Sequence, residues 1–375
     1  MRGEDLEMKT RQFWYPLPTR LIAQRPVETR GTDRMMVLHR DTGVIEHRHI
    51  ADIVEYLDEK DLLVVNDTKV FPARLLGTWS DSPGAVEVLM VAPATDADAL
   101  DAEGGRRVED VASYQVTWSC LIGSGRPSRE GQVAVFGPAR ELAVELVQKL
   151  EGGVWLCTFR SARPLADLLD AFGHKPVPPY VHREGTPEEE AFDRERYQTI
   201  YARVTGSVAA PTAGLHFTPE IFAALEAKGV KRTAVTLHVG PGTFRPVKTT
   251  EIEDHHMDYE AYTVTAEAAE AINACKARGG RVVCVGSTSV RTLETVAAAN
   301  GGKVVAAHGV SNIFIYPPYK FAVTDVMLTN FHLPQSTLLM MVSALAGRER
   351  ILCAYALAVR AEYRFFSYGD CMLIV

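Results

Sequence analysis

The sequence predicts an α/β protein in which an α/β sheet domain carries an inserted small antiparallel β-barrel domain. Residues 1–71 and 161–375 alternate between helical and strand patterns, which is typical of a sheet covered by helices. Residues 72–160 instead contain short segments of alternating apolar and polar residues, separated by Gly, Pro and acidic turns, as in a small barrel. Because the two outer segments share one pattern, we expect them to form a single discontinuous domain that the barrel interrupts.

Short apolar segments predict the strands, and two helices have clear ends. In the α/β domain, strands are expected at 62–65, 233–240 and 281–287, and a further strand is expected to end near 330. Thr218 can cap a helix that begins at Pro219, and a helix at 267–278 ends at a pair of glycines. In the barrel, strands are expected at 86–92, 114–122, 132–136 and 154–159.

The composition is that of an ordinary globular protein. The chain has 375 residues, of which 47% are apolar and 23% charged, so it can bury a full core. Its longest strongly apolar run, residues 336–347, is shorter than the ~20 residues that a membrane crossing needs. The first residues have mixed charge and fit neither a signal peptide nor a transit peptide. We therefore expect a cytoplasmic protein that has no membrane partner and acts as a monomer.

Cysteine and histidine spacing indicates neither disulfides nor a metal site. The six cysteines lie far apart, with no CxxC pair, and are expected to be reduced thiols. The segment HHMD at 255–258 offers two adjacent histidines, which rarely point the same way, and no further ligand group is evident nearby in the sequence. We expect no bound metal.

Charge is unevenly distributed along the chain. The net charge of −7 argues against broad electrostatic binding of nucleic acid. Residues 11–40, however, contain six arginines, including Arg20 and Arg25, against only Glu28 and Asp33. These arginines either form a basic face on an acidic protein or are solvated and paired with local acids.

The segment GSVAAPTAGLHFTPE, residues 206–220, is rich in small residues. Thr212, Ala213 and Gly214 belong to a run with little side-chain bulk, which allows a ligand to pack directly against peptide N–H groups. His216 would lie at the edge of such a site. The alternative is a packed loop beneath the helix that follows.

A second candidate, VGSTSVRTLE at 285–294, consists of a strand end, a turn and a helix start. The amides of Ser287, Thr288 and Ser289 lie at the positive end of the expected helix, where a carboxylate or phosphate can dock. Arg291 and Glu294 add more charge than a helix cap requires, although simple capping is the alternative. The segment lacks the lysine and spacing of a P-loop, and the chain contains no GxGxxG motif.

Polar residues follow several of the expected strands. Asn66 and Asp67 follow the first strand, His238 follows another, and Asn330 and His332 follow a third. In open α/β sheets, ligands bind beyond the carboxyl ends of the strands, so these histidines and His216 are expected to cluster there. Taken singly, a histidine of this kind is more often a hydrogen-bonded core residue than a catalyst.

Seven sequence blocks together resemble one family. They are YPLPTRLIAQRPVETR (15–30), NDTKVFPAR (66–74), the segment at 206–220, LHVGPGTF (237–244), VGSTSVRTLE (285–294), LTNFHLPQSTLLMMVSA (328–344) and YRFFSYGDCMLI (363–374). The chain is similar to the S-adenosylmethionine:tRNA ribosyltransferase-isomerases of the queuosine pathway from about residue 15 to residue 375, and least similar between residues 77 and 160. The family has an α/β domain with a β-barrel insert, which agrees with the predicted fold.

The resemblance implies a specific reaction. These enzymes transfer the ribosyl part of S-adenosylmethionine to 7-aminomethyl-7-deazaguanine at the wobble position of a tRNA. The ribose is isomerised, epoxyqueuosine forms, and adenine and methionine leave. S-adenosylmethionine is therefore a consumed substrate, the partner is the tRNA, and no metal or redox cofactor is expected.

The resemblance also directs the assignment of site residues. His216 or His238 is expected to be the general base, the 287–291 turn to bind the methionine carboxylate, and the small residues 212–214 to contact S-adenosylmethionine. Contacts to hydroxyls or to a base edge are expected from Asn66, Asp67 and Asn330. RNA contacts are expected from Arg20, Arg25 and Arg74.

Three departures from the family and two rival functions bear on these expectations. The family usually has a histidine where this chain has Asp258 and a glycine where it has Pro318, and its basic turn in the barrel appears here as the looser segment GSGRPSREG at 123–131. One rival is an enzyme that uses S-adenosylmethionine on a free base or another RNA. The other is a noncatalytic RNA-binding protein, which would bind tRNA without releasing adenine and would not need histidines at strand ends.

Overall fold

The computed structural model describes residues 8–95, 106–108, 113–178, 180–244 and 247–375. Within these residues, a nine-stranded mixed sheet and a seven-stranded antiparallel sheet account for most strands, and a two-stranded sheet accounts for the others. Helices pack against the larger sheet, and six strands of the smaller sheet close into a barrel. The predicted fold class is confirmed.

The strands in chain order are β1 Arg34–Leu38, β2 Ile45–His49, β3 Leu62–Asn66, β4 Thr68–Val70, β5 Arg74–Trp79, β6 Ala85–Pro93, β7 Arg106–Val108, β8 Ser113–Ser124, β9 Val133–Phe136, β10 Leu142–Lys149, β11 Val154–Ser161, β12 Val204–Ser207, β13 Lys231–Leu237, β14 Glu260–Val264, β15 Val282–Val285, β16 Ala307–Ser311, β17 Val326–Asn330 and β18 Cys371–Ile374. The α-helices are α1 Ile53–Tyr56, α2 Leu165–Phe172, α3 Pro187–Arg196, α4 Pro219–Ala227, α5 Ala266–Ala277, α6 Gly286–Ala299, α7 Thr337–Ala346 and α8 Arg348–Arg360.

The large sheet brings four strand ends to one edge. Its order is β16-β14-β13-β3-β15-β17-β18-β1-β2, and the neighbours β13, β3, β15 and β17 run parallel. The residues of β3, β15 and β17 are all buried and mostly apolar because helices cover both faces of the sheet, whereas β13 is buried only over its last three residues. Since parallel strands end at the same edge, the residues that follow these four strands lie close together there.

The barrel is closed by strands distant in sequence. Its ring is β8-β11-β10-β9-β5-β6, with β7 added beside β8, and its core includes Trp79, Trp118 and Phe159. The strand β5 was not predicted because Gly77 interrupts its apolar pattern. The structure explains this glycine, since a Cβ atom there would lie 2.3 Å from the carbonyl oxygen of Val135 on the adjacent strand.

The expected strands and helices in both sheets are present, with ends shifted by up to a few residues. Thr218 caps α4 by accepting a hydrogen bond from the amide of Ile221 at 3.3 Å, and Ser336 caps α7 in the same way. Besides β5, the strands that were not predicted are β1, β2, β4, β7, β10, β12, β14, β16 and β18. The strand β18 forms between β17 and β1, so its conformation depends on partners distant in the sequence. Among the described residues, no helix is both long and apolar enough to cross a membrane.

Candidate active site

A cleft lies at the carboxyl edge of the large sheet and combines several of the sequence blocks. We call it the first cleft, and its volume is about 560 Å³ when its open mouth is included. It is lined by Ala209, Ala210, Pro211, Thr212, Ala213, Val239, Gly286, Ser287, Thr288, Thr329, Asn330, Phe331, His332, Leu338, Phe366 and Ser367. The predicted residues Thr212, Ala213, Ser287, Thr288 and Asn330 therefore meet in one place.

The start of helix α6 presents polar groups to the first cleft. Gly286 has φ +82°, a conformation that favours glycine and turns the chain from β15 directly into the helix. Thr288 lines the cleft, and its buried Oγ1 has no hydrogen-bond partner among the described residues. An unpaired buried hydroxyl is costly unless a ligand or water satisfies it. Ser289 does not line the first cleft, and its Oγ donates to the carbonyl of Val285 at 2.9 Å inside the helix.

A buried chain of hydrogen bonds supports Asn330. The Nδ1 atom of His216 lies 3.0 Å from Oδ2 of Asp33, and its Nε2 lies 3.2 Å from Nδ2 of Asn330. Thr212 donates from Oγ1 to Oδ1 of Asn330 at 3.2 Å. Both ring nitrogens of His216 are therefore engaged, and this residue does not line the first cleft. In this arrangement Asp33 and His216 orient the Asn330 amide.

The groups around Asp33 in this chain of hydrogen bonds favour the ionised form of its carboxyl group. Burial by itself raises the pKa of Asp33, but the charge and hydrogen bond of His216, together with the charge of Arg364, hold that pKa below its ordinary value. Asp33 therefore stays ionised at neutral pH and accepts a hydrogen bond from His216.

His238 follows β13 and does not line the first cleft, although the next residue, Val239, does. Its Nδ1 lies 2.8 Å from Oγ1 of Thr68, and Nε2 has no hydrogen-bond partner among the described residues. Burial lowers its pKa, while the charge of Asp67 opposes that shift. Its ring packs so closely on Gly206 that a Cβ atom there would lie 2.6 Å from Cε1 of the imidazole. His238 is thus a neutral imidazole with one available nitrogen.

Of the three strand-end histidines, His216, His238 and His332, the one that lines the first cleft is His332. Its Nε2 lies 2.9 Å from Oγ1 of Thr329, and its ring is almost entirely buried. Burial lowers its pKa to about 3, so the imidazole is neutral at physiological pH. The sequence placed His332 among the strand-end histidines, but nothing in the residue pattern distinguished it from His216 and His238.

Three predicted contact residues are used inside the protein instead. Asn66 joins β3 to β13 through the amide and carbonyl groups of Leu237, at 3.0 and 2.9 Å. Asp67 accepts hydrogen bonds from Thr236 and Arg203. Gly214 does not line the first cleft, and a Cβ atom there would collide with the hydroxyl of Tyr201.

Arg291 lies in a neighbouring second cleft of about 1070 Å³. It is lined by Gly242, Lys248, Thr249, His255, His256, Met257, Asp258, Glu260, Arg291 and Thr337. The Nη1 atom of Arg291 donates to Oε2 of Glu260, and both side chains are buried. Ser287, Thr288 and Arg291, predicted to act together, therefore line two adjacent clefts.

Glu294, by contrast, is a structural anchor. Its side chain is fully buried and accepts hydrogen bonds from the hydroxyl of Tyr319 and from the amides of three consecutive residues, Ala322, Val323 and Thr324. The charge of Glu294, noted in the sequence, therefore stabilises the 322–324 loop rather than binding a ligand.

The three predicted RNA-binding arginines each pair with an acid. Arg20 lies 2.8 Å from Glu362, Arg25 lies 3.8 Å from Glu189, and Arg74 lies 2.8 Å from Glu87. The side chains of Arg20 and Arg25 are both 64% exposed, and that of Arg74 is 41% exposed. They are accessible to a large ligand while forming ion pairs within the chain.

Phe366 is a cleft residue that the sequence reasoning did not single out. It has φ +76°, which is unusual for a residue other than glycine, and its carbonyl accepts from Nδ2 of Asn330 at 3.0 Å. Strained backbone of this kind is often found at functional sites. Its only sequence signal was membership of the block at 363–374, whose phenylalanines were expected to pack in the core.

Among the described residues, no group of three or more His, Cys, Asp or Glu side chains is arranged to hold a metal ion. The histidines at 255 and 256 line the second cleft beside Asp258 without forming such a group.

Comparisons with known proteins extend the resemblance over nearly the whole chain. A family model described as "Queuosine biosynthesis protein" matches residues 10–374. Relatives called S-adenosylmethionine:tRNA ribosyltransferase-isomerase are 47% identical in Caldanaerobacter subterraneus subsp. tengcongensis and 46% identical in Thermoanaerobacter sp. (strain X514), and each match covers 98% of this chain and 100% of the relative. A crystal structure of an S-adenosylmethionine tRNA ribosyltransferase from Thermotoga maritima is 35% identical, with a TM-score of 0.52, and covers 97% of this chain and 100% of that chain.

Proposed function

The chain belongs to the queuosine biosynthesis protein family, and we propose that it is an S-adenosylmethionine:tRNA ribosyltransferase-isomerase. It transfers and isomerises the ribosyl group of S-adenosylmethionine onto 7-aminomethyl-7-deazaguanine at the wobble position of a tRNA. The products are epoxyqueuosine in the tRNA, free adenine and free methionine. The observation that carries this proposal is the meeting of five family-like blocks, at 206–220, 237–244, 285–294, 328–344 and 363–374, around the first cleft.

The first cleft suits the adenosyl part of S-adenosylmethionine. Small residues at 209–213 leave space against the backbone, and Phe366 offers an aromatic ring at the cleft wall. The unpaired hydroxyl of Thr288 can bond to a polar edge of a nucleoside. Asn330 offers one further acceptor position on Oδ1, because His216 and Phe366 take both of its amide hydrogens. A mainly apolar cleft with a few oriented polar groups is the usual form of a small-molecule site.

The reaction requires a base rather than a metal or redox cofactor. The positive sulfonium acidifies the adjacent 5′-carbon proton, so a base that removes this proton forms an ylide, adenine is expelled, and the amine of the tRNA base attacks. S-adenosylmethionine is consumed and is not regenerated. Of the two histidines considered for this role, His238 has an unpaired ring nitrogen, whereas both nitrogens of His216 are engaged.

The tRNA does not need a broadly basic surface in this proposal. An anticodon loop already presents unpaired bases, so no duplex has to be opened, and a few phosphate contacts are sufficient. Exposed arginines Arg20, Arg25 and Arg74 are proposed to make such contacts by exchanging their internal acid partners for phosphates.

Replacing these arginines by alanine is expected to lower the salt dependence of tRNA binding. Each lost phosphate contact should reduce the slope of log K against log salt concentration by about one unit. The measurement is a tRNA titration at several salt concentrations, with Arg278→Ala as a control at the exposed arginine that follows helix α5. A slope that is unchanged in all three variants would remove these arginines from the RNA interface.

The proposed function is tested by adenine release from S-adenosylmethionine. Purified protein is incubated with tRNA that carries 7-aminomethyl-7-deazaguanine, with tRNA that carries unmodified guanine, and without tRNA. We expect adenine only with the aminomethyl base, together with an epoxyqueuosine nucleoside identified by mass spectrometry.

Other outcomes of this experiment separate the rival functions. Tight tRNA binding without adenine release would indicate a noncatalytic RNA-binding protein. Adenine release with the free base or another RNA, but not with the modified tRNA, would indicate a related enzyme with a different acceptor.

A further inference from the structure

The second cleft contains a buried arginine with unsatisfied hydrogen-bond donors. Arg291 is only 4% exposed, and its Nη1 donates to Glu260, but its Nε and Nη2 atoms have no partner among the described residues. The Oγ1 atom of Thr249, in the same cleft, is also buried without a partner. A buried donor that makes no hydrogen bond costs free energy, and this cost is greatest for charged groups. The cleft therefore lacks an acceptor that a ligand can supply.

The free donors of Arg291 define the shape of that acceptor. Nε–H and Nη2–H lie on one edge of the guanidinium and point in parallel, which matches the two oxygens of a carboxylate or phosphate. Since Glu260 occupies Nη1, this edge remains for a ligand. 7-Deazaguanine has a carbon in place of N7, so it cannot offer the paired O6 and N7 acceptors that arginine reads in guanine.

The other charged groups of the cleft select between carboxylate and phosphate. Two carboxylates, Asp258 and Glu260, line the cleft with Arg291 and Lys248. A cleft with both positive and negative side chains suits a zwitterion, because the carboxylates attract its ammonium group. The same carboxylates repel a phosphate. An α-amino acid group carries both charges on neighbouring atoms.

Three chain segments place the second cleft beside the first. Thr288 and Arg291 are three residues apart on helix α6, which corresponds to about 4.5 Å along its axis. Val239 and Leu338 line the first cleft, while Gly242 and Thr337 line the second. A ligand whose nucleoside occupies the first cleft can therefore extend into the second.

We propose that the second cleft binds the amino-acid end of S-adenosylmethionine, with the ligand carboxylate on the Nε and Nη2 edge of Arg291 and the hydroxyl of Thr249. This inference rests on the proposed function, and it places the carboxylate on a side chain rather than on the amides at the start of α6. Glu260 holds Arg291 in position and, with Asp258, provides the negative charge that favours the ligand ammonium.

The inference is tested with ligands on the unaltered protein, so that folding is not a variable. Calorimetry compares S-adenosylmethionine with its decarboxylated form, S-adenosyl-3-methylthiopropylamine, which keeps the adenosyl group, the sulfonium and the amine. We expect the decarboxylated form to bind at least about 30-fold more weakly, because two charge-assisted hydrogen bonds are lost. Dissociation constants within threefold of each other would overturn the inference.

A matched pair of variants locates the effect. In Arg291→Lys, which keeps the charge but loses the paired donors, the ratio between the two ligands is expected to fall to less than about fivefold. Arg281→Lys, at an arginine that pairs with Asp61 elsewhere in the sheet, is expected to keep the full ratio. If Arg291→Lys instead weakens tRNA binding and leaves the ratio unchanged, the anion is an RNA phosphate and the inference is wrong.

Failure of this inference can be distinguished from failure of the proposed function. Adenine release that depends on the modified tRNA, combined with equal affinity for the two ligands, overturns only the assignment of the second cleft. Absence of adenine release with every RNA, despite strong preference for the carboxylated ligand, overturns the transfer reaction and leaves the ligand assignment standing.

Discussion

Glu294→Ala is expected to lower the free energy of unfolding by about 3–5 kcal/mol, because a buried carboxylate that accepts several hydrogen bonds is removed. The change leaves the amides of Ala322, Val323 and Thr324 without their acceptor in the interior. Glu294→Gln keeps the shape and one carbonyl oxygen, so it should cost less, about 1–3 kcal/mol. The measurement is urea unfolding at neutral pH, with the slope of the transition compared between variants.

The control is Glu270→Ala, at an exposed position on helix α5, where the change is expected to stay within about 0.5 kcal/mol. A loss below about 1 kcal/mol for Glu294→Ala would show that the 322–324 loop does not depend on this carboxylate. If Glu294→Ala retained its stability but lost affinity for S-adenosylmethionine, Glu294 would have to be reassigned to the ligand site.

The place of the site was predictable because strand ends obey a simple geometric rule. Asn66, His238, Ser287 and Asn330 each follow an apolar segment that reads as a strand, and parallel neighbouring strands end at one edge. Local patterns of this kind are contained within about ten residues. The large sheet, the barrel and the general location of the first cleft could therefore be inferred before the structure.

The direction of each side chain could not be inferred in the same way. His238 and Val239 are adjacent, yet Val239 lines the first cleft while His238 faces Thr68. The partner of His216 is Asp33, which lies far away in the sequence and meets it only when β1 joins the sheet. Hydrogen bonds between distant segments, which decide whether a polar group serves the ligand or the fold, leave no periodic pattern in the sequence.

Arg291 and Glu294 show how similar sequence signals conceal different roles. Both are charged residues near the start of α6, and both are buried. Glu294 is surrounded by donors from one loop, whereas Arg291 retains two donors that nothing in the described structure accepts. The hydrogen-bond partners of each side chain therefore distinguish the two roles: Glu294 stabilises the fold, and Arg291 is left to bind a ligand.

His238→Gln is expected to reduce the rate of adenine release in a single turnover by about 10²–10⁴-fold, the usual contribution of a general base. The affinity for S-adenosylmethionine should stay within about threefold, because a general base acts in the transition state and adds little to ground-state binding. Glutamine can keep the hydrogen bond to Thr68, so the change removes proton transfer while preserving local contacts. Exposed His308→Ala on the edge strand β16 serves as the control.

The rate of adenine release is expected to fall at acid pH if His238 is the base. Burial lowers the pKa of His238, so the neutral form that accepts a proton predominates at pH 7 and is lost only in acid. The wild-type rate should fall as pH drops below the ordinary histidine value, and this acid limb should disappear in His238→Gln. His216→Gln is expected to act mainly by releasing Asn330, raising the dissociation constant as well as lowering the rate.

Comparing turnover and affinity among the three histidine variants identifies the base. Normal turnover and normal affinity in both His238→Gln and His216→Gln would exclude both residues from proton transfer. If, in that case, His332→Gln alone abolished adenine release, the base would be the histidine that lines the first cleft. Its deeply lowered pKa, about 3, would then require the substrate complex to raise its basicity, which a shift of the acid limb upon binding would reveal.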